Sequence, residues 1–115
     1  MLFRSDAGRV VSDQVRLIDV MPTVLALAGV PLPKPVQGTD LTPLLEGRSL
    51  PPAEALAELH SPRGTLRALR TSRSKVVALP DGRAAFFDLV DDPGEQRPRT
   101  DGLAPLAGQI GRAHV

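Results

Sequence analysis

The chain contains no cysteine, tryptophan, tyrosine or asparagine, and its only aromatic residues are Phe3, Phe86 and Phe87. Without cysteine there is no disulfide, no thiolate zinc site and no cysteine nucleophile within these residues. So few aromatics and a net charge of +1 argue against stacking platforms and basic grooves, and nucleic acid is not expected as a partner. No stretch approaches the roughly 18 consecutive apolar residues of a membrane span, so no membrane association is expected. The first residues, Met1-Leu2-Phe3-Arg4-Ser5-Asp6, lack the basic region and apolar core of a signal peptide.

What is present is ordinary in polarity and unusual in its breakers. Apolar residues make up 42% and charged residues 23% of 115, enough for one modest core. Twelve prolines and ten glycines exclude long uninterrupted helices and predict short elements joined by many loops. The last six residues, Ile110-Gly111-Arg112-Ala113-His114-Val115, read as one translated frame of a common sequencing adapter, and are kept out of the fold argument. Without them 13 basic residues balance 13 acidic ones, and His60 is the one remaining histidine. Twelve Arg against two Lys, with abundant Ala, Gly and Pro, suit a GC-rich, bacterial coding sequence.

Val10, Val11, Val15 and Leu17 alternate loosely with polar residues and predict a short extended segment. A helix over about 20–28 follows. Asp19 is its expected N-cap, Pro22 falls in the first turn, and Val20, Met21, Val24, Leu25 and Ala28 form one apolar face. Leu27 lies outside that face, which predicts burial on more than one side, and Gly29 followed by Pro31 is the stop. Leu41, Leu44 and Leu45 predict a short second helix over about 41–46, capped by Thr39 or Asp40 and closed by Gly47.

Four short strands are then predicted over about 54–59, 66–71, 75–79 and 83–89, most simply as one antiparallel sheet. The first competes with helix, because Ala-Glu-Ala-Leu-Ala-Glu-Leu is a good helix former. Pro80-Asp81-Gly82 marks a hairpin, Asp-Gly supplying the positive φ values of a tight turn. A turn at Asp91-Asp92-Pro93-Gly94-Glu95 and a weak helix over about 102–109 complete the pattern.

Candidate chemistry is sparse. His60 is a possible general base or cleft-lining group, but with no partner nucleophile it reads better as a strand-end histidine. Asp91 and Asp92 are adjacent carboxylates, and Asp-Asp-Pro-Gly is turn chemistry rather than a metal site. Arg63, Arg67, Arg70 and Arg73 have guanidinium forks suited to sulfate or phosphate, although their spacing reads more simply as a solvated face. There is no Gly-x-Ser-x-Gly elbow and no phosphate-cradling glycine loop. No catalytic residue and no metal ligand is assigned; His60 and Arg63 remain as candidates for substrate contact.

Four strings, in order, carry a resemblance. Asp19-Val20-Met21-Pro22-Thr23, within a helix ending Ala28-Gly29, resembles the Asp-hydrophobic-x-Pro-Thr helix of the sulfatases. Gly38-Thr39-Asp40-Leu41-Thr42-Pro43-Leu44-Leu45-Glu46-Gly47 is similar to that family's Gly-x-x-Leu-x-Pro-Leu-Leu-x-Gly stretch. Arg70-Thr71 with Lys75 resembles its Arg-Thr-x-x-x-Lys strand pair, and 87–95, from Phe87-Asp88-Leu89 to Asp92-Pro93-Gly94-Glu95, resembles its Tyr-Asp-Leu-x-x-Asp-Pro-x-Glu ending.

The resemblance implies an α/β parent of alkaline-phosphatase-like fold, with this chain as its C-terminal part and itself α+β. Residues 1–50 would end the large domain, 51–109 would form a small antiparallel-sheet subdomain, and 110–115 the adapter string. It further implies sulfate-ester hydrolysis by a formylglycine made from Cys or Ser in Cys/Ser-x-Pro-x-Arg, with a divalent cation, usually calcium. Family members are often periplasmic or secreted, and a sulfated small molecule or glycan is the implied substrate. The nearest string here, Ser49-Leu50-Pro51-Pro52-Ala53, has Ala where Arg is required, so nucleophile and cation are expected from a missing N-terminal catalytic part. The fragment alone is then inactive. The alternatives are a phosphodiesterase or phosphoethanolamine transferase of the same superfamily, and a free-standing interaction module.

Overall fold

Residues 8–101 and Ile110 are described by the structure, a computed structural model. They fall into two units, Met1–Pro52 and Ala53–Val115.

In the first unit a 3-10 turn, Leu17–Asp19, runs into helix α1, Val20–Leu27, and a one-turn helix α2 follows at Thr42–Leu45. Pro22 sits in the first turn of α1, where its missing N–H costs no helical bond. At the other end the Val30 amide donates to the Leu25 carbonyl at 2.9 Å and the Gly29 amide to that of Ala26 at 3.1 Å. This bond pair, with Gly29 left-handed at φ 70°, is a Schellman stop. At α2 the amide and hydroxyl of Thr42 donate to Asp40 Oδ1, at 2.9 and 2.6 Å, so the carboxylate two residues upstream closes its start.

The segment before the 3-10 turn joins no sheet, and its last residue, Arg16, is extended with φ −121° and ψ 154°. Two expectations for this unit are corrected. Asp19 stands at the N-cap position of α1 but makes no side-chain cap bond there; its carboxylate turns to Arg16 and Thr39 instead. The apolar face of α1 is not inside, because Val20, Met21 and Val24 are exposed while Pro22 and Thr23 are buried. Hydrogen bonding at Asp19 and Thr23 sets that orientation, and an apolar stripe has no directional interaction with which to oppose it.

The second unit is an antiparallel meander in the order β1-β2-β3-β4, spanning Ala55–Ser61, Gly64–Arg70, Ser74–Ala78 and Ala84–Asp88. The stretch with helical propensity became β1 because seven consecutive pairs to β2, from Ala55 opposite Arg70 to Ser61 opposite Gly64, outweigh local preference. The β3 to β4 turn differs slightly from expectation. Gly82 alone takes a positive φ, 85°, and Asp81 does not. The Leu79 amide donates to the Arg83 carbonyl at 2.8 Å, which makes Pro80-Asp81-Gly82 a three-residue loop with glycine in its left-handed position.

Register places Leu56, Leu69, Val76 and Phe86 in one row across the sheet. Leu69 and Val76 are buried there with Ile110, and Ala78 and Ala84 pack around them. Ile110, first residue of the adapter-like string, is thus part of this core. The helix expected over 102–109 lies outside the described residues. Past β4 the chain returns along its free edge, Phe86 and Arg99 exchanging two backbone bonds of 2.9 and 2.7 Å.

Candidate functional site

His60 and Arg63 sit at the β1 to β2 end of the sheet. His60 pairs with Thr65 across the ladder, and Arg63 lies in the two-residue loop between Ser61 and Gly64. Residues two apart on a strand share a face, so Glu58 and His60 on β1 meet Thr65 and Arg67 on β2. Arg67 Nε donates to Glu58 Oε1 at 2.8 Å, His60 Nδ1 is 2.9 Å from Thr65 Oγ1, and His60 Nε2 is 3.6 Å from Glu58 Oε2. Glu58 and Thr65 are partners of His60 that sequence alone did not pick out, and Arg67, a candidate there, reaches Glu58 rather than His60. Strand alternation together with the hairpin register was the signal for them.

The cluster stands in solvent, with the His60 side chain 72% exposed. What it offers chemically is a polar, partly basic rim. The four arginines do not converge. Arg67 and Arg70, three apart on β2, point to opposite faces, and Arg73 lies in the turn at the far end of that strand, roughly 20 Å along from Arg63.

The residues of the four resembling strings instead build two clasps, one in each unit. In the first, Asp19 is 1% exposed and its carboxylate accepts from the Arg16 amide at 2.9 Å, Arg16 Nη2 at 2.9 Å and the Thr39 amide at 2.8 Å. Burial pushes the Asp19 carboxyl up, but the Arg16 guanidinium and the Thr39 and Arg16 amides outweigh it and hold the group below its ordinary value. The Thr23 hydroxyl donates to the Asp19 carbonyl at 2.6 Å and accepts from the Leu41 amide at 2.9 Å. Gly38 completes the fit, because a Cβ there would lie 1.9 Å from the Ile18 carbonyl oxygen. The Asp…Pro-Thr helix and the Gly-Thr-Asp-Leu stretch therefore hold each other.

In the second clasp Lys75 Nζ is 2.9 Å from Glu95 Oε1, which joins the Arg-Thr-x-x-x-Lys string to the Asp-Pro-Gly-Glu string. Asp92 is buried and accepts from the amides of Gln96 at 3.0 Å and Arg97 at 2.8 Å. Those two amides hold its carboxyl below the usual range. Asp88 Oδ1 takes the Val90 and Asp91 amides in the same turn. Asp92 thus acts in a turn, as expected, while Asp91 contributes only backbone atoms to it: its amide goes to Asp88 and its carbonyl accepts from Arg97 Nη2 at 3.0 Å.

The divalent cation and formylglycine implied by the resemblance do not fit the described residues. Among them no three His, Cys, Asp or Glu side chains come together, and the buried carboxylates of Asp19 and Asp92 are occupied by N–H donors. A shallow depression of about 230 Å³ in the first unit, between Arg9, Asp13, Leu44 and Arg48, has Asp13 as its one carboxylate beside two arginines, which does not suit a cation.

No protein-family profile matches the chain. It is 36% identical over 102 residues to human Arylsulfatase K, covering 77% of this chain and 19% of that protein. It is 32% identical to mouse Steryl-sulfatase over 90% of this chain and 22% of that protein. Among solved structures, a candidate sulfatase of Bacteroides thetaiotaomicron superposes with a TM-score of 0.68 at 26% identity, over 83% of this chain and 22% of that one. The fold of these neighbours is alkaline-phosphatase-like. The chain spans about a fifth of the length of the curated relatives it matches. Those relatives do not favour the phosphodiesterase, phosphoethanolamine transferase or interaction-module alternatives, and being mammalian they lend no support to a bacterial origin. At 36% identity over 77% of its length, the chain belongs to the sulfatase family and corresponds to part of a sulfatase.

Proposed function

We propose that this chain is the C-terminal part of a sulfatase-type hydrolase that cleaves sulfate esters. The observation that carries the reading is identity of 36% to human Arylsulfatase K over 77% of the chain, on a backbone that also superposes on a sulfatase-like structure. The residues in hand give the chain a scaffolding role, since the buried polar side chains of the four strings, Asp19, Thr23 and Asp92, are spent on backbone groups or an arginine. Nucleophile, formylglycine and cation belong to the remaining four-fifths of such a polypeptide, and so does the sulfated small molecule or glycan that it would bind. On this reading His60 and Arg63 are the groups of this chain that would contact a bulky substrate, a role supported only by their exposed position at the β1 to β2 end.

Two measurements test this. A long read of the genomic locus is expected to continue an open frame upstream of Met1 into Cys/Ser-x-Pro-x-Arg and to replace residues 110–115 by others. A stop codon and ribosome-binding site directly before Met1 would sink the reading. The purified chain is expected to leave an aryl sulfate unhydrolysed, and turnover above a buffer control would place a nucleophile within these residues.

A further inference from the structure

The two edges of the sheet differ. Beyond β4 the chain returns, and Phe86 and Arg99 exchange backbone bonds there. Beyond β1 no strand follows among the described residues, so β1 ends the sheet. Ladder parity decides which of its groups face outward. The Thr71 amide donates to the Ser74 carbonyl, so odd positions of β2 bond β3 and even ones, Gly64 to Arg70, bond β1. Their partners are Ser61, Leu59, Ala57 and Ala55, and Leu56, Glu58 and His60 therefore aim amide and carbonyl at the outer edge. Natural edge strands discourage further pairing with lysine, proline or a bulge. β1 has none of these: its pairs to β2 run unbroken from Ala55 to Ser61, a stretch without lysine or proline. Its one carboxylate, Glu58, is held by Arg67 Nε at 2.8 Å. Leu56 is 40% exposed and Leu59 62%. An edge of this kind is a template for another strand.

The strand is also complementary to itself. Two antiparallel copies related by a two-fold at Glu58 would set carboxylate against carboxylate, which is destabilising. A two-fold at Leu59 removes that conflict. It sets Leu59 opposite Leu59 of the second copy, and Glu58 opposite His60 of the second copy, an acceptor facing a donor across the pair. Both Glu58 and His60 are outward positions, so their backbones exchange amide and carbonyl in that register. We propose that the outer edge of β1 pairs antiparallel with the same edge of a second copy of this chain, about a two-fold at Leu59, joining the two sheets into one. The inference goes beyond the sulfatase reading and does not depend on it. The match of Glu58 to His60 and of Leu59 to itself is what selects a second copy as the occupant. Two seven-residue edges bury little apolar area, so the dimer belongs at the weak, concentration-dependent end of specific contacts.

The chain has no cysteine, so single cysteines report the register directly. At the two-fold the Leu59 positions form a pair without mutual backbone bonds, with Cα atoms about 4.5 Å apart, within the span of a disulfide. The Ala57 positions, on the same face, would lie about 14 Å apart. Under oxidised glutathione the Leu59→Cys chain is therefore expected to form a disulfide-linked dimer about tenfold faster than the Ala57→Cys chain. By sedimentation the unsubstituted chain is expected to be a monomer at about 5 μM and a dimer at about 500 μM. Leu59→Lys, which sets two ammonium groups side by side, is expected to raise the dissociation constant about tenfold with far-UV circular dichroism unchanged. A chain that stays monomeric at the higher concentration overturns the proposal, and so does a dimer indifferent to Leu59→Lys. Crosslinking of Ala57→Cys as fast as that of Leu59→Cys overturns the register. A full-length polypeptide from the locus in which Leu59→Cys does not crosslink would give the edge to the remainder of that polypeptide, and overturns the proposal as well.

Discussion

Asp19 and Thr39 lie 20 positions apart, and a 2.8 Å hydrogen bond from the Thr39 amide to Asp19 Oδ1 joins them. Through it the end of the 3-10 turn reaches the second of the four strings, and the carboxylate closes around Arg16 at the same time. The bond explains why an aspartate, rather than any helix-capping residue, stands in front of the Pro-Thr helix. Serine or threonine would cap a helix as well, but would not accept from two amides and a guanidinium together.

Asp19→Ala is expected to lower the stability of the first unit by about 2–4 kcal/mol, because it leaves the Thr39 amide and the Arg16 guanidinium without their acceptor. Asp19→Asn should cost less, since one carbonyl oxygen can still take the Thr39 amide. Urea titrations monitored by circular dichroism would separate the two, and equal losses would mean that a neutral acceptor does nothing and the charge is what the clasp requires.

Acid should loosen both clasps. Asp19 and Asp92 have folded pKa values below their ordinary 3.8, so the unfolded chain takes up protons first as pH falls. Stability is then fully present above about pH 5 and declines below the ordinary carboxylate value toward the folded ones. Melting temperature measured from pH 7 down to pH 2.5 is expected to be flat and then to drop. Asp19→Asn should blunt the drop, whereas a steady rise on acidification would contradict the assigned signs.

Gly64 carries two constraints at once. Its φ is 115°, a region that L side chains avoid, and a Cβ there would come 2.5 Å from Pro80 Cβ. Gly64→Ala is expected to cost about 2–3 kcal/mol in the sheet unit. Adding Pro80→Ala should recover little, because Pro80 Cβ is kept and the backbone strain remains. Full recovery would show that the clash alone matters.

The Lys75 to Glu95 pair is half-buried at 26% and 32% exposure, so Lys75→Met should cost only about 0.5 kcal/mol. Its measured coupling in a double-mutant cycle with Glu95→Gln is expected to shrink between 50 mM and 1 M salt, in line with screening of an accessible pair.

Ile110 is 6% exposed against Leu69 and Val76. Ile110→Ala should destabilise the sheet unit by about 2–3 kcal/mol through lost burial and the cavity left behind. No change in the denaturation midpoint would show that the core at Leu69 and Val76 closes without it.

Much of this was legible from residues near one another in the chain. The stop at Gly29, the short helix behind Asp40, the four strands and the loop at Pro80-Asp81-Gly82 are written in local patterns: a glycine in left-handed geometry, a carboxylate two residues before the amide it accepts, alternation broken by turn residues. The string β1 was ambiguous because its helical propensity is real, and only its seven cross-strand partners decide against it. His60 could be placed at a strand end from sequence, but its neighbours Glu58, Thr65 and Arg67 required the register.

The sequence by itself determined both helices, three of the four strands, the turns between them and, through four short strings, the family. Only the tertiary structure decided what those strings are for: Asp19 reaches Thr39, Thr23 reaches Leu41, and Lys75 reaches Glu95. It also decided that α1 buries Pro22 and Thr23 and exposes Val20, Met21 and Val24. The physical reason is that an apolar stripe specifies burial without saying against what, whereas a hydrogen bond names its partner by distance and direction.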